Sequence, residues 1–226
     1  MKILVITGGI LNERFLKGFL LTRSFDYTIV VDGALKVVEQ MGISFQSLVG
    51  DFDTIDPHIL KQYMGKAGLY IEKHKPQKDE TDTELAVDLA IKKIIENRKE
   101  NERDEISILG ATGGRLDHTL GNIHLVYRAL KRDIICKLYD EDNCLFMVKD
   151  RVKLCNESKD YRYVSFLPFT DVTEGVTLEG FQYPLQKARL EKGCTLGISN
   201  EICSESPFVT VDQGILIGIF SRDHTV

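Results

Sequence analysis

The segment KILVITGG, residues Lys2–Gly9, joins a short apolar run to a polar turn that contains two glycines. Because the glycines follow at once and no small-residue cleavage site appears, we interpret the segment as a first β-strand and not as a signal peptide. The mature protein is accordingly expected to stay in the cytoplasm. In a doubly wound sheet a ligand binds beyond the carboxyl ends of the strands, which is where Thr7, Gly8 and Gly9 would lie.

Short apolar runs alternate with amphipathic stretches from this segment to about residue 135. Such alternation is typical of βα units wound into a mostly parallel sheet. Apolar residues at helical spacing predict one helix over Thr83–Lys99 and a second from about Leu116. The predicted strands are Lys2–Thr7, Tyr27–Val31, Ser47–Val49, Leu69–Glu72, Ile106–Leu109 and Ile134–Tyr139.

Helical periodicity disappears after about Tyr139, where short apolar runs alternate with Gly, Asn, Asp and Pro. This pattern indicates antiparallel strands joined by tight turns. We therefore predict an α/β domain with a doubly wound, mostly parallel sheet over residues 1–139, followed by an all-β sandwich domain over residues 140–226. The predicted strands of the second domain include Leu145–Val148, Tyr161–Phe166, Thr195–Ile198, Phe208–Val211 and Ile215–Phe220.

The composition disfavours several classes of protein. The 226 residues carry 29 Lys and Arg against 34 Asp and Glu, so a general nucleic-acid binder is not expected. Every apolar run is far shorter than the roughly 18 residues needed to cross a bilayer. The cysteines form no C-x-x-C pair and the histidines no H-x-x-x-H pair, which disfavours a disulfide framework and a transition-metal site. An acidic site for a hard cation or a cationic ligand remains open.

Polar or glycine-rich turns follow four of the predicted strands. Besides the first turn, they are Asp32-Gly33-Ala34, the segment GDFDT at residues 50–54, and the segment GATGGRLDH at residues 110–118. Because the carboxyl ends of parallel strands share one edge of a sheet, we expect these turns to lie along that edge.

Asp51 and Asp53 form a D-x-D pair directly after the third predicted strand. If the segment is extended, both carboxylates face a common ligand while Phe52 turns back to the core. Two carboxylates this close repel each other unless a cation lies between them, and Mg²⁺ prefers carboxylates together with phosphate oxygens. An Asp-rich turn that caps the next helix, through Asp53 or Thr54, explains the same residues.

The segment that starts at Lys78 (KDETDTE) opens the longest predicted helix. Thr81 and Glu84 fit a capping box, which accounts for Glu84 but does not require Asp79 and Asp82. The i, i+3 spacing of these two aspartates could present both to one side of the helix entrance, where they would converge with the D-x-D pair. Lys78 could meet phosphate oxygens, although an isolated surface lysine is usually only solvated.

The segment at residues 110–118 combines glycines with an arginine and an Asp-His pair. Glycines allow a close backbone approach, and the start of a helix offers unpaired N–H groups to phosphate. Arg115 adds donors that suit phosphate oxygens, while Asp117 and His118 can bond a ribose, a base edge or each other. Neither a Walker A loop nor G-x-G-x-x-G is present. The structural alternative is a tight turn with Asp117 as the helix cap.

Taken in order, these motifs resemble those of bacterial thiamine pyrophosphokinases. They are Asp-Gly after a strand, Gly-Asp-Phe-Asp-Thr, Lys-Asp-x-Thr-Asp-x-Glu-x-Ala, Gly-x-x-Gly-Gly-Arg-x-Asp-His and, in the β domain, GISNE at residues 197–201. The resemblance spans nearly the whole chain and implies an α/β nucleotide domain followed by a β-sandwich. It also implies transfer of the terminal pyrophosphate of ATP to the hydroxyethyl group of thiamine, with Mg²⁺, giving thiamine diphosphate and AMP.

The resemblance assigns phosphate and metal chemistry to six residues. Lys78 and Arg115 would offset phosphate charge. Four aspartates would hold Mg²⁺ and the triphosphate, and one of them could accept the proton of the thiamine hydroxyl. These four residues are Asp51, Asp53, Asp79 and Asp82.

The nucleotide pocket and the thiamine cleft are assigned in the same way. Ser199 and Asn200 would face thiamine, in a cleft between the α/β domain of one subunit and the β domain of its partner in a homodimer. The chain has Gly33-Ala34 where the family often has two glycines, and Thr54 where it often has serine. The nucleotide pocket would be shaped by Gly113, Gly114, Asp117 and His118, with Asp32 and Gly33 beside it.

Two other interpretations remain open. A D-x-D nucleotide-sugar transferase would use Asp51 and Asp53 to hold a metal, but it leaves the motifs after Lys78 and Gly113 unexplained. A non-catalytic nucleotide-binding module would use the aspartates only as helix caps. That module explains each motif singly, but not their coincidence at four strand ends.

Overall fold

The computed structural model describes residues 1–53, 55, 57–74, 79–100, 102–154 and 161–223. The chain divides into two compact units, Met1–Glu141 and Asp142–Val226. Two residues named by the sequence analysis, Thr54 and Lys78, lie outside the described residues. Among the helices that the structure describes, none is long and apolar enough to reach across a membrane.

The first unit is built on a sheet of parallel strands. These strands are β1 Lys2–Ile6, β2 Tyr27–Val31, β3 Ser47–Gly50, β4 Tyr70–Lys73, β5 Glu105–Leu109 and β6 Ile135–Tyr139. Their order across the sheet is β4-β3-β2-β1-β5-β6, and every neighbouring pair is parallel. Strand β3 is buried along its whole length, and β1, β2 and β5 are buried except at their first residue, as expected for strands of an α/β sheet.

Within the described residues, these strands are connected by the α-helices α1 Glu13–Thr22, α2 Leu35–Gln40, α3 Pro57–Tyr63, α4 Asp82–Asn97 and α5 Leu116–Leu130. Helix α4 buries Ala86, Ala90 and Ile94, which recur at helical spacing on one face. The mixed α/β fold with a mostly parallel sheet, predicted from the alternation of apolar runs, is therefore confirmed.

Strand β1 lies at the centre of the sheet, between β2 and β5. From β1 the chain adds β2, β3 and β4 outward in one direction, and then β5 and β6 on the other side of β1. The connections after β1 and β5 therefore diverge and leave a crevice between the two strand ends, the usual ligand position in such sheets. Glycine-rich turns follow both of these strands.

The strands described in the second unit pair antiparallel. The strands are β7 Asn143–Val148, β8 Val152–Lys153, β9 Tyr163–Pro168, β10 Val172–Glu179, β11 Leu185–Glu191, β12 Phe208–Thr210 and β13 Leu216–Ser221. Strands β7, β13 and β9 pair antiparallel in that order, and a separate four-stranded sheet has the order β11-β10-β12-β8. The ring of Phe166 on β9 meets that of Phe181 edge to face at 5.7 Å. The predicted β-sandwich is confirmed.

The prediction of a strand over Thr195–Ile198 is wrong, because this segment forms a turn. The Ile198 N–H donates to the Thr195 carbonyl oxygen at 3.1 Å. Leu196 and Ile198 are 63% and 44% exposed, so the apolar run lies at the surface. A Cβ added at Gly197 would lie 2.2 Å from the Phe166 carbonyl oxygen, which shows how closely the turn packs on β9.

Candidate active site

The glycine-containing loop after β1 touches the segments that follow β2 and β5. The Gly9 N–H donates to the Gly110 carbonyl oxygen at 2.9 Å, and a Cβ added at Gly9 would lie 2.2 Å from that oxygen. A Cβ added at Gly8 would lie 2.8 Å from the Cα of Gly33. The absence of side chains thus lets the loop after β1 contact its two neighbours. Gly33 lies beside the crevice at the end of β1.

A group of three aspartates lies at the ends of β2 and β3. One carboxylate oxygen of each of Asp32, Asp51 and Asp53 lies within 4.8 Å of the others. Asp32 begins a short 3₁₀ helix after β2, whereas Asp51 and Asp53 follow β3. From the sequence, Asp51 and Asp53 were expected to lie with Asp79 and Asp82, and Asp32 was expected beside the nucleotide pocket. In the structure, Asp32 lies next to the D-x-D pair.

An extended D-x-D segment was expected from the sequence. The segment is not extended, because Phe52 has a left-handed backbone with φ of 63°. A bulky residue rarely adopts this conformation, and such strain is concentrated at functional sites. Phe52 is only 6% exposed, so its ring does turn inward. Its N–H donates to Asp32 Oδ2 at 3.1 Å, and the Asp53 N–H donates to Asp51 Oδ1 at 3.1 Å.

Negative charge accumulates at this group of aspartates. The pKa of Asp53 is raised above its ordinary value, first by the charge of Asp51 and then by desolvation. The pKa of Asp32 is also raised, first by burial and further by the charges of Asp82 and Asp51, although two backbone N–H groups oppose the shift. Asp82 acts on both groups, so the start of α4 belongs to the same acidic region. A hard cation would relieve this repulsion.

Helix α4 begins at this region with the predicted cap. The Thr81 hydroxyl accepts the Glu84 N–H at 3.1 Å, which confirms Thr81 as the N-cap. Asp82 is half-buried in the first turn, and Asp79 is exposed just before it. The Thr83 hydroxyl donates to Thr7 Oγ1 at 3.3 Å and so ties the first turn to the loop after β1. No sequence motif had indicated this bond.

The turn before α5 presents Arg115 and Asp117 as an exposed pair. Gly113 and Gly114 both have left-handed backbones, with φ of 82° and 66°. Arg115 donates to both oxygens of Asp117, from Nη2 at 2.5 Å and Nε at 3.1 Å. These bonds, with the N–H of the neighbouring His118, lower the pKa of Asp117 to about 2. Arg115 occupies the N-cap position, so Asp117 is not the cap.

Asn200 and Ser199 have different surroundings in the second unit. Asn200 is 3% exposed, and its side chain bonds to the N–H and the carbonyl of Tyr183 and to the N–H of Glu201, at 2.7 to 2.9 Å. Ser199 is exposed with φ of 58°, and its N–H donates to Ser165 Oγ at 3.0 Å. Of the two, Ser199 offers its side chain to a ligand.

Tyr183 is a candidate that the sequence analysis did not name. Its backbone is held by Asn200, 17 residues further along the chain, and its side chain is 64% exposed. It is the most exposed aromatic side chain among the described residues of the second unit. No spacing along the sequence links the two residues, since hydrogen bonds between distant segments bring them together.

Two family models and a curated relative match the chain. The family model described as thiamin pyrophosphokinase, catalytic domain, matches residues 20–138, and the one described as thiamin pyrophosphokinase, vitamin B1 binding domain, matches residues 151–216. Over 195 residues the chain is 36% identical to a thiamine pyrophosphokinase of Bacillus subtilis, which covers 86% of this chain and 87% of that protein.

Solved structures show the same likeness. The crystal structure of thiamine pyrophosphokinase from Bacillus subtilis matches with a TM-score of 0.82 at 33% identity, covering 99% of this chain and 100% of that one. The thiamin pyrophosphokinase from Geobacillus thermodenitrificans matches with a TM-score of 0.81 at 29% identity, covering 100% and 99%. The chain belongs to the thiamine pyrophosphokinase family, as the order of its motifs predicted.

Proposed function

We propose that the protein transfers the terminal pyrophosphoryl group of ATP to the hydroxyl oxygen of thiamine, giving thiamine diphosphate and AMP. The observation that carries the proposal is the group of three aspartates, Asp32, Asp51 and Asp53, in a chain of this family. Family membership supplies the reaction, and the aspartates supply the negative charge that a metal-bound triphosphate and a cationic substrate require.

Mg²⁺ fits the aspartates by the chemistry of its donors. Their carboxylate oxygens are hard, negative ligands, and the raised pKa of Asp53 reflects the repulsion that an ion would remove. We assign Asp32, Asp51 and Asp53 to the ion, with Asp79 and Asp82 completing the acidic site at the start of α4. When bound, the ion supplies positive charge against the triphosphate.

The transfer needs a proton acceptor and accurate positioning. The thiamine hydroxyl oxygen bonds to the β-phosphorus of ATP, the bond from that phosphorus to the oxygen bridging the α-phosphate breaks, and AMP leaves. The hydroxyl proton passes to an aspartate late in the transfer. The proposed acceptor is one of the aspartates of the acidic site, Asp51, Asp53, Asp79 or Asp82.

ATP is proposed to bind in the crevice between the ends of β1 and β5, within the α/β domain of residues 1–139. The left-handed glycines before α5 leave backbone accessible to phosphate, and the Arg115 guanidinium is held at the helix N-terminus by Asp117. The proposed pocket residues are Asp32, Gly33, Lys78, Gly113, Gly114, Arg115, Asp117 and His118.

Thiamine is proposed to bind the β domain of residues 140–226 through the Ser199 side chain and the exposed ring of Tyr183. Asn200, which the resemblance assigned to thiamine, is better placed to position Tyr183, because its side chain is buried and bonded to the Tyr183 backbone. We further propose a cytoplasmic homodimer, in which the α/β domain of one subunit and the β domain of its partner form each thiamine cleft.

The two alternatives have less support. A D-x-D nucleotide-sugar transferase accounts for Asp51 and Asp53, but not for the match of both halves of the chain to thiamine pyrophosphokinase models. A non-catalytic module requires the aspartates to serve as caps. Thr81 is the cap of α4, so Asp82 is not needed for that purpose.

One assay tests the proposal. The protein is incubated with ATP, Mg²⁺ and thiamine, and the nucleotide product is identified. We expect AMP with thiamine diphosphate, and a fall in kcat of about 100-fold or more for Asp53→Asn and Asp82→Asn with the fold retained. Asp171→Asn, at an exposed carboxylate paired with Lys192, is the matched control and should keep full activity. ADP with thiamine monophosphate, or no turnover, contradicts the proposal.

A further inference from the structure

Gly50, the last residue of β3, lies against the carboxylate of Asp32. A Cβ added at Gly50 would be 2.5 Å from both Cγ and Oδ2 of Asp32 and 2.7 Å from its Cβ. Gly50 is not among the glycines with a left-handed backbone, so an L-residue could adopt its conformation. The space taken by Asp32, and not backbone freedom, therefore requires glycine here.

The carboxylate in that space is held from two sides. The Gly33 N–H donates to Asp32 Oδ1 at 2.6 Å, and the Phe52 N–H donates to Oδ2 at 3.1 Å. The left-handed backbone of Phe52, with its ring buried, directs that second N–H. Because a carboxylate oxygen has two lone pairs, each oxygen keeps one for a further partner.

We propose that Gly50 is a positioning residue of the active site. By carrying no side chain, it leaves the space in which the Asp32 carboxylate lies within reach of Asp51 and Asp53. A side chain at position 50 would push Asp32 away from the two N–H donors and out of the group. This inference rests on the proposed function, since it assigns Asp32 to the same cation site.

The first test measures cation binding without nucleotide. Mn²⁺, as a paramagnetic probe for the site, is titrated into the full-length protein and the free ion is followed by electron paramagnetic resonance. Gly50→Ala should raise the Kd for Mn²⁺ about tenfold or more and lower kcat. The matched control is Gly18→Ala in α1, where an added Cβ meets nothing within 4 Å, and it should leave both quantities unchanged. Unchanged Mn²⁺ binding and kcat in Gly50→Ala overturn the proposal.

A double-mutant cycle separates positioning from a general loss of structure. Gly50→Ala is compared in the wild-type and Asp32→Gly backgrounds, where the second variant removes the three atoms that lie nearest to the new Cβ. We expect Gly50→Ala to lower Tm, or to prevent folding, only when Asp32 is present. An equal loss in both backgrounds overturns the proposal. Failure of the wild-type protein to form thiamine diphosphate would reject the proposed function, but the cycle and the Mn²⁺ titration would still test the steric relation.

Discussion

Asp32 and Asp53 make the stability of the ion-free protein depend on pH. Their pKa values are raised in the folded state, so the native protein binds these protons more tightly than the unfolded chain. Protonation therefore adds stability below the ordinary pKa of 3.8, and this contribution is lost as the pH rises through the raised values. Mg²⁺ at the proposed site would act in the opposite direction, because it would bind the deprotonated carboxylates.

The increase in Tm caused by Mg²⁺ should consequently be largest near neutral pH and shrink as the pH falls through the raised pKa values. Scanning calorimetry with and without Mg²⁺, from about pH 7 to about pH 4, measures the increase. Asp51→Asn should reduce it at every pH, since that variant removes both a proposed ligand and the main cause of the raised pKa of Asp53. An increase in Tm that does not vary with pH would contradict the assignment.

Asn200 and Ser199 are neighbours with different expected roles, and substitution separates them. Asn200→Ala should lower the free energy of unfolding by about 1 to 3 kcal/mol, because it leaves part-buried backbone groups of Tyr183 and Glu201 without this partner. Ser199→Ala should change it by less than about 0.5 kcal/mol and should raise KM for thiamine. Urea unfolding and steady-state kinetics measure the two effects. If Asn200→Ala instead raised KM for thiamine with little change in stability, Asn200 would be assigned to thiamine binding.

At the scale of elements, the proposed role of Asp82 predicts that helix stability and catalysis are linked at the start of α4. Thr81→Ala should cost about 1 kcal/mol of stability, since the N-cap bond to the Glu84 N–H is lost. The frayed first turn carries Asp82, so kcat should fall as well. Thr81→Ser keeps the hydroxyl and is the control. Urea unfolding and the thiamine diphosphate assay are the measurements. Full activity in Thr81→Ala would show that the N-cap bond does not affect catalysis.

The elements that sequence predicted well have strong local signals. Helix α4 begins within one residue of its predicted start and α5 begins at the predicted residue, because long apolar stripes and a cap mark them. The apolar run at Thr195–Ile198 does not form the predicted strand, and its residues Leu196 and Ile198 are exposed. Apolar character indicates a strand only where tertiary packing buries it, and the sequence does not contain that information locally.

The sequence motifs identified candidate site residues, but they did not predict which of these residues lie close together. Asp51 and Asp53 were recognised from their spacing, whereas the place of Asp32 beside them depends on β2 and β3 being neighbours in the sheet. It also depends on the left-handed backbone of Phe52, which no residue preference suggests. Sequence patterns indicate which strand ends carry polar residues, and strand order decides which of those ends meet.

At the scale of the whole molecule, the homodimer proposal predicts complementation between inactive variants. Asp53→Asn in the α/β domain is mixed with Ser199→Arg in the β domain, after each variant alone has been shown to lack activity. If every site draws on both subunits, a hybrid dimer regains one intact site of two, and full exchange should restore roughly a quarter of wild-type activity. Thiamine diphosphate formation before and after subunit exchange measures it. No recovery, despite hybrid dimers detected by native mass spectrometry, would place each site within one subunit.

The central position of β1 has a consequence for synthesis of the chain on the ribosome. Ile3 pairs with Tyr27 on one side and with Ile106 on the other. One edge of β1 therefore keeps its N–H and C=O groups unpaired until β5 has emerged, long after β2, β3 and β4 are complete. The nascent chain therefore exposes this strand edge while most of the first unit is synthesised. The middle of the sheet is completed late in co-translational folding.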